Sequence, residues 1–473
     1  MALGKRKPQQ EELFIPRAKV AAGPGHPFYS KLNEVLAQAG FDEFVEKLCA
    51  PYYKEGGRPG IPPGVYFRMV LIGYFEGLDS QRGIAWRCAD SLGLRTFLGI
   101  AITEDTPVHA SMTIIRQRLP ESVFDKVFVF VLSLLEQKGL LRGKAVAIDA
   151  TTLEANAAMR SIVRRDNGAS YDEFLQGLAQ ESGIATPTRE DLARLDRKRK
   201  KKGANKEWTS PQDADARITR MKDGSTHLAH KAEHAVDMET GAVLAVTLQP
   251  ADQGDTTTMV ETLAQAGENV ADLIAREAAE PEPGVNLAGI EEVVTDKGYH
   301  SGPALVAMKA AGVRTYIPEK KQPGKRHWIG KKDEQQAVYA NRQRVSGNHG
   351  KSLLRKPGEL IERSFAHCYE TGAMRRTHLR GHENILKRQL IHVGAFNLSL
   401  IFRALIGAGT PRELKNRLAR LVFVLEHLLA SLRQPNHRSN PAIHHRRTFQ
   451  PPNCASSSSF CRHPKRRGSA TGC

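Results

Sequence analysis

From Lys144 onward the apolar residues leave helical spacing and gather into short runs broken by turn residues, and this change constrains the fold more than any other feature. KAVAIDATT reads as a strand, and HLAHKAEHAVDMETGAVLAVTLQP as two strands about a tight turn at Thr240–Gly241. TTTMVETLAQAGENVADLIAREAAE has the period of an amphipathic helix. EEVVTDKGYH predicts a strand, SGPALVAMKAAG a helix, VRTYIPEK a strand and ELIERSFAHCYE a helix, with helical sequence continuing to about Gln434. The order is three strands, helix, strand, helix, strand, helix: an α/β domain on a mixed five-stranded sheet. In that order the first and fourth strands run parallel and adjacent, and their carboxyl ends form the edge where open α/β sheets place their sites.

Upstream the pattern is helical. Residues 26–140 predict an all-α domain, with Asp79 and Ser80 as caps, a helix from about Ser111 and another over VFDKVFVFVLSLLEQKG. It fits a helix-turn-helix DNA reader or a helical cap on the next domain. The expected organisation is a flexible amino terminus (1–25), the helical domain (26–140), the α/β domain (141–433) with a basic insertion at about 160–225, and a disordered basic tail (434–473). The tail's Cys454, Cys461, His463 and Cys473 match no standard zinc spacing.

The chain of 473 residues carries 69 Lys plus Arg against 51 Asp plus Glu, a net charge of +18 that suits a polyanionic partner, nucleic acid above all. No secretory h-region and no apolar run of about twenty residues stands out. With the cysteines scattered, the expectation is a reducing cytoplasm and no membrane.

Three carboxylates stand out by position: Asp149 closing the first strand in AVAIDATTLEANA, Asp296 closing the fourth in VVTDKGYHS, and Glu362 on the helix ELIERSFAH. The element order is that of the ribonuclease-H-like fold, which brings the two aspartates together. Clustered carboxylates repel unless a cation neutralises them, and Mg²⁺ or Mn²⁺ suits oxygen ligands. Two ions, bridged by Asp149 and held singly by Asp296 and Glu362, would activate an attacking oxygen and stabilise the leaving one at a phosphodiester. Taken singly, each acid also fits a blander role: Asp296 a helix cap, Glu362 a solvated helix residue.

The segments IDATTLEANA, VVTDKGYHS and ELIERSFAHCYETGAMRRTHLRGHENILKRQLIHVGAFNL resemble the DDE transposases of bacterial insertion sequences over roughly residues 25–435. The resemblance implies a ribonuclease-H-like catalytic domain, a divalent metal, and action on terminal inverted repeats within a multimeric protein–DNA complex. It carries the three acids onto Asp149, Asp296 and Glu362. The family's Tyr-x2-Arg-x3-Glu-x6-Lys signature is only partly met, because Arg355, Gly358 and Tyr369 occupy its other positions. Arg363, Arg375 and Arg376 are the candidate substitutes for the missing lysine.

Glu359 rivals Glu362, and Glu154, Asp255 and His300 are candidate neighbours or structural residues. Two basic stretches are candidate DNA contacts: the run with Lys198, Arg199 and Lys200, and the zone with Lys325, Arg326, Trp328 and Lys331, where an aromatic among cations can stack a base. The expected partners are the element's ends, target DNA and further copies of the chain. A metal-dependent nuclease without strand transfer, and an inactive transposase-derived DNA-binding protein, are the competing readings.

Overall fold

The amino-terminal helices form because nearly every one has an apolar face to bury. In the computed structural model, which describes residues 25–54, 56, 60–199, 203–221, 224–277, 284–321, 326–355 and 357–433, they are α1 (Pro27–Gln38), α2 (Phe41–Cys49), α3 (Pro63–Phe75), α4 (Gln81–Asp90), α5 (Leu92–Leu98), α6 (His109–Arg118) and α7 (Glu121–Gln137). Ser80 caps α4 as expected, accepting from the Gly83 amide. α3 is buried continuously from Tyr66 to Phe75 and includes Arg68, whose guanidinium forks onto Asp42.

The sheet follows: β1 (Ala145–Glu154), β2 (Val163–Arg164), α8 (Tyr171–Glu181), α9 (Arg189–Lys198), β3 (Trp208–Thr209), β4 (Arg217–Arg220), β5 (Thr226–Asp237), β6 (Val243–Pro250), α10 (Asp255–Glu277), β7 (Glu292–Thr295), α11 (Gly302–Ala310) and β8 (Arg314–Tyr316). α12 (Lys332–Ser346), α13 (Asn348–Leu353), α14 (Pro357–Phe365), a π-helical turn (Ala366–Thr371), α15 (His382–Ile406) and α16 (Pro411–Arg433) complete the order. The main sheet runs β4-β5-β1-β7-β8, with β6 also paired to β5. It has six strands rather than five. The extra one, β4, pairs β5 from Thr226 to Ala229 while β6 pairs it from His230 to Val236, because β5 is twelve residues long and outruns β6. β1 is antiparallel to β5 and parallel to β7, and β7 is parallel to β8.

One core serves the amino-terminal helices and the sheet. Its shared wall is α15, buried without interruption from Ile385 to Phe402. α15 packs on α3 and α7, and also on β6, where Asn397 accepts from the Val243 amide at 2.9 Å and donates to its carbonyl at 2.8 Å. A helix lying between two layers is apolar all round. The segment His382–Val422 is long and apolar enough to cross a membrane, but 72% of its apolar window is buried in the protein.

The insertion is folded, not a bare loop. Trp208 anchors a small separate core with Ile162, Ile218 and Leu228, against which Tyr171 and Phe174 pack. Capping boxes at Ser170–Glu173 and Thr188–Asp191 start α8 and α9. The chain divides into two units, Met1–Ala419 and Arg420–Cys473. The tail and its cysteines lie outside the described residues.

Candidate active site

β1 keeps its parallel partner only as far as Ile148↔Thr295. The next residues on the two strands are Asp149 and Asp296, and strands so paired run about 4.8 Å apart. At this point β7 turns away into a 3₁₀ turn, Lys297–Tyr299, which Asp296 caps by accepting from the Gly298 amide at 2.5 Å. β1 does not end at Asp149, contrary to the sequence reading. β5 holds it antiparallel through Glu154↔Ala229, so the polar residues Thr151, Thr152 and Glu154 are still strand. Asp149 is half-buried and accepts from the Ala150 amide at 2.8 Å, while Asp296 is exposed.

Asp255, at the start of α10, joins this edge. A Cβ on Gly298 would stand 2.7 Å from Asp296 Oδ1 and 2.8 Å from Asp255 Oδ2, so the two carboxylates approach each other at Gly298. Asp255 Oδ1 is 2.7 Å from Lys231 Nζ, which also lies 3.0 Å from the fully buried Glu233. Thr258 and Thr262 donate to Glu233, and the Tyr299 hydroxyl donates to it at 3.3 Å. Burial, then the negative charges of Glu233, Asp149 and Asp255, drive the Tyr299 phenol far above its ordinary range. Sequence reading passed over Lys231 and Glu233. The signal was there in HKAEH, where charged residues alternate through an otherwise apolar strand and need buried partners.

On the other face of β1–β5 lies α14. His234, register partner of Asp149, meets Ser364 Oγ at 3.0 Å and Tyr369 Oη at 2.7 Å, and Phe365 packs on its ring. Burial alone pushes His234 down to about 3, so it is neutral at ordinary pH. Tyr369, in the position of the family's lysine, is spent on this buried contact and offers no cation. Ile361, Ser364 and Phe365 face the sheet; Glu362 and Glu359 are both exposed. Among the described residues, no group of three or more His, Cys, Asp or Glu side chains stands ready to hold a metal ion. Glu362 is therefore not gathered with the aspartates. The aspartate pair alone fits a hard cation, since Mg²⁺ typically takes one or two carboxylates and fills its remaining positions with water and substrate phosphate.

Of the candidate lysine substitutes, Arg363 points to the β5–β6 turn at Gly241, and burial and Arg403 lower its pKa. Arg375 reaches Thr151 Oγ1 at 3.4 Å, two residues beyond Asp149 on the same face of β1, and also pairs with Glu370. Arg376 lies 3.7 Å from Glu154. Glu154 also lies 3.8 Å from His227, and His300 is 3.6 Å from Glu319.

Of the named basic residues that the structure describes, Arg199, Arg326 and Lys331 are paired within the protein. Arg199 meets Asp196 at 3.4 Å and lies over the Phe174 ring; Lys198 is exposed. Arg326 meets Glu319 at 3.1 Å, Lys331 meets Glu334 at 3.4 Å, and Trp328 packs toward Tyr339 on α12. Lys200 and Lys325 lie outside the described residues. Lys320 is the member of its zone that reaches the acidic edge, donating to the Gly298 carbonyl at 3.4 Å.

No curated protein matches the chain significantly. Residues 17–118, the stretch that holds α1–α6, match the family model described as Transposase domain (DUF772), and this match supports a transposase family for the chain.

Proposed function

We propose that the chain is a DDE transposase of a bacterial insertion sequence, binding the element's terminal repeats, cutting their 3′ ends and joining them to target DNA. The observation that carries the reading is the approach of Asp149 and Asp296 on adjacent parallel strands, in a chain similar over residues 17–118 to a transposase domain. The path β6-β5-β1-β7-β8 also agrees with the strand order expected of a ribonuclease-H-like domain.

Asp149 and Asp296 would hold Mg²⁺ or Mn²⁺, which when bound supplies Lewis acidity at the phosphate and neutralises the carboxylates; Glu362, on the exposed side of α14, would become a third ligand only if α14 shifted on binding DNA. The chain's own part is positioning. Arg375, anchored between Thr151 and Glu370, is placed to orient a phosphate beside Asp149, in the role of the absent lysine. Lys231 holds Asp255 beside Asp296, and Glu233 holds Lys231.

The test incubates a labelled terminal fragment with protein, Mg²⁺ and plasmid. Joined products are expected. Asp149→Asn and Asp296→Asn should each cut by more than the ~100-fold typical of losing an outer-shell metal partner less, with DNA binding retained in a gel-shift assay. Nicked products without joining would reduce the chain to a nuclease, and full cleavage by either variant would remove that aspartate from the site.

A further inference from the structure

A cleft of about 580 Å³ opens among α4, α6, the segment after the π-helical turn and the start of α15. Four arginines line it, Arg82, Arg116, Arg376 and Arg388, against a single carboxylate, Asp79, which is paired with His378 at 3.1 Å. Two of the arginines are more than nine-tenths buried and short of partners. Arg116, 7% exposed, donates from Nε to Asn384 at 3.0 Å, yet its Nη1 has no hydrogen-bond acceptor. Arg388, 6% exposed, donates from Nη2 to the Leu78 carbonyl at 2.9 Å, and its Nε has none. Burial pulls Arg388 down to about 10, which still leaves it charged. A buried guanidinium with an idle N–H is costly, and at Arg388 the nearby charge of Asp79 offsets only part of that cost.

We propose that this cleft is an anion site that grips the phosphodiester backbone of nucleic acid, Arg116 and Arg388 forming its floor and Arg82 and Arg376 its rim. The buried guanidinium groups of Arg116 and Arg388 set the positive potential of the floor, and the exposed rim arginines are the donors that a phosphate oxygen would meet first. Guanidinium suits this task because its fork matches phosphate geometry. The cleft starts where β1 stops: Glu154 bridges to Arg376, and the Arg375 carbonyl accepts from the Glu154 amide at 3.1 Å. An extended strand rises ~3.3 Å per residue, so Glu154 stands about 16 Å along β1 from Asp149. That spans about five nucleotides of one strand at ~3.4 Å each. The assignment rests on the transposase reading for its choice of nucleic acid, and places the grip on DNA a short stretch away from the cut.

Two measurements on the full chain test it: fluorescence anisotropy with a labelled mixed-sequence duplex of about 30 base pairs across about 50–200 mM salt, and thermal melting with pyrophosphate. Arg82→Ala/Arg376→Ala, a rim pair with little effect expected on folding, should weaken duplex binding about tenfold and flatten the plot of log affinity against log salt by about two, near 0.9 per lost phosphate contact. Pyrophosphate should raise the melting temperature of the wild type, and less so that of Arg116→Gln. The cleft assignment is overturned if the rim pair binds duplex as the wild type does with the same salt slope. Such a result would leave the transposase reading standing. A wild type without duplex affinity would sink that reading, whereas a pyrophosphate shift lost in Arg116→Gln would still support the anion site.

Discussion

The two faces of the β1–β5 pair solve the same problem with different chemistry. On the α10 face, Glu233 and Lys231 are buried charges held by each other and by Asp255, Thr258, Thr262 and Tyr299. On the α14 face one strand register away, the buried polar group is an uncharged imidazole between a serine and a tyrosine. The ionic face borders Asp296 through Asp255, and the neutral face carries Asp149. A charged network fixes the position of carboxylates that must not drift. A neutral one lets α14 pack without placing another charge next to Asp149. The difference shows where the protein accepts the desolvation of ions and where it avoids it.

Breaking the ionic face should have the largest effect. Glu233→Ala leaves Lys231 buried with Asp255 as its remaining carboxylate partner and Thr258 as a neutral one, and should cost ~3–5 kcal/mol in denaturant unfolding. The double replacement Lys231→Met/Glu233→Gln should recover most of it; a single variant losing under ~1 kcal/mol would mean that the lock is not ionic.

Acid should act on the neutral face. His234 and His392 are both held down to about 3 by burial, with Arg388 adding to the effect at His392. Each folded-state pKa lies below the unfolded value near 6.5, so the unfolded chain takes up protons first. The stability tied to neutral imidazole is whole above pH ~6.5 and is lost as pH falls toward 3, at ~1.4 kcal/mol per pH unit for each histidine. Melting curves between pH 7 and 5 should show a shallower acid slope for His234→Gln than for the wild type; equal slopes would remove His234 from the linkage.

Tyr369→Phe, a smaller change, strips the hydroxyl from His234 Nε2 and should cost ~1–3 kcal/mol for the unsatisfied nitrogen. A loss below that range would show that water or Gln389 takes over the contact. The smallest effect belongs to the exposed side of α14. Glu359→Gln and Glu362→Gln should each change stability by no more than ~0.5 kcal/mol, so any difference between them in DNA cleavage reports chemistry. Loss of cleavage with Glu359→Gln alone would transfer the third-acid role to Glu359.

Much of the scaffold was legible because strands such as KAVAID and EEVVTD concentrate their apolar residues and are bounded by turn formers. The continuation of β1 past Asp149 was not. Thr151 and Thr152 look like a strand's polar end, and only β5, paired across the whole of β1 beyond Ala145, makes them strand. The insertion misled for a related reason: Ile162, Trp208, Ile218 and Leu228 are too far apart in sequence to show as a core. Charge misled most. Dense basic runs drew attention, yet Arg199, Arg326 and Lys331 find carboxylates nearby, whereas the four arginines that converge on one cleft are scattered from Arg82 to Arg388. Local charge density is a property of sequence, and convergence is a property of the fold.

The burial of α15 on both sides has a consequence for dissection. A fragment ending near residue 140 would leave α3 and α7 with a bare greasy flank, and one beginning there would strip α15 of the same cover. Neither half is expected to survive alone as a soluble piece. Separating the two layers by truncation should therefore fail with this chain, whereas single substitutions in the full-length chain leave both flanks of α15 covered.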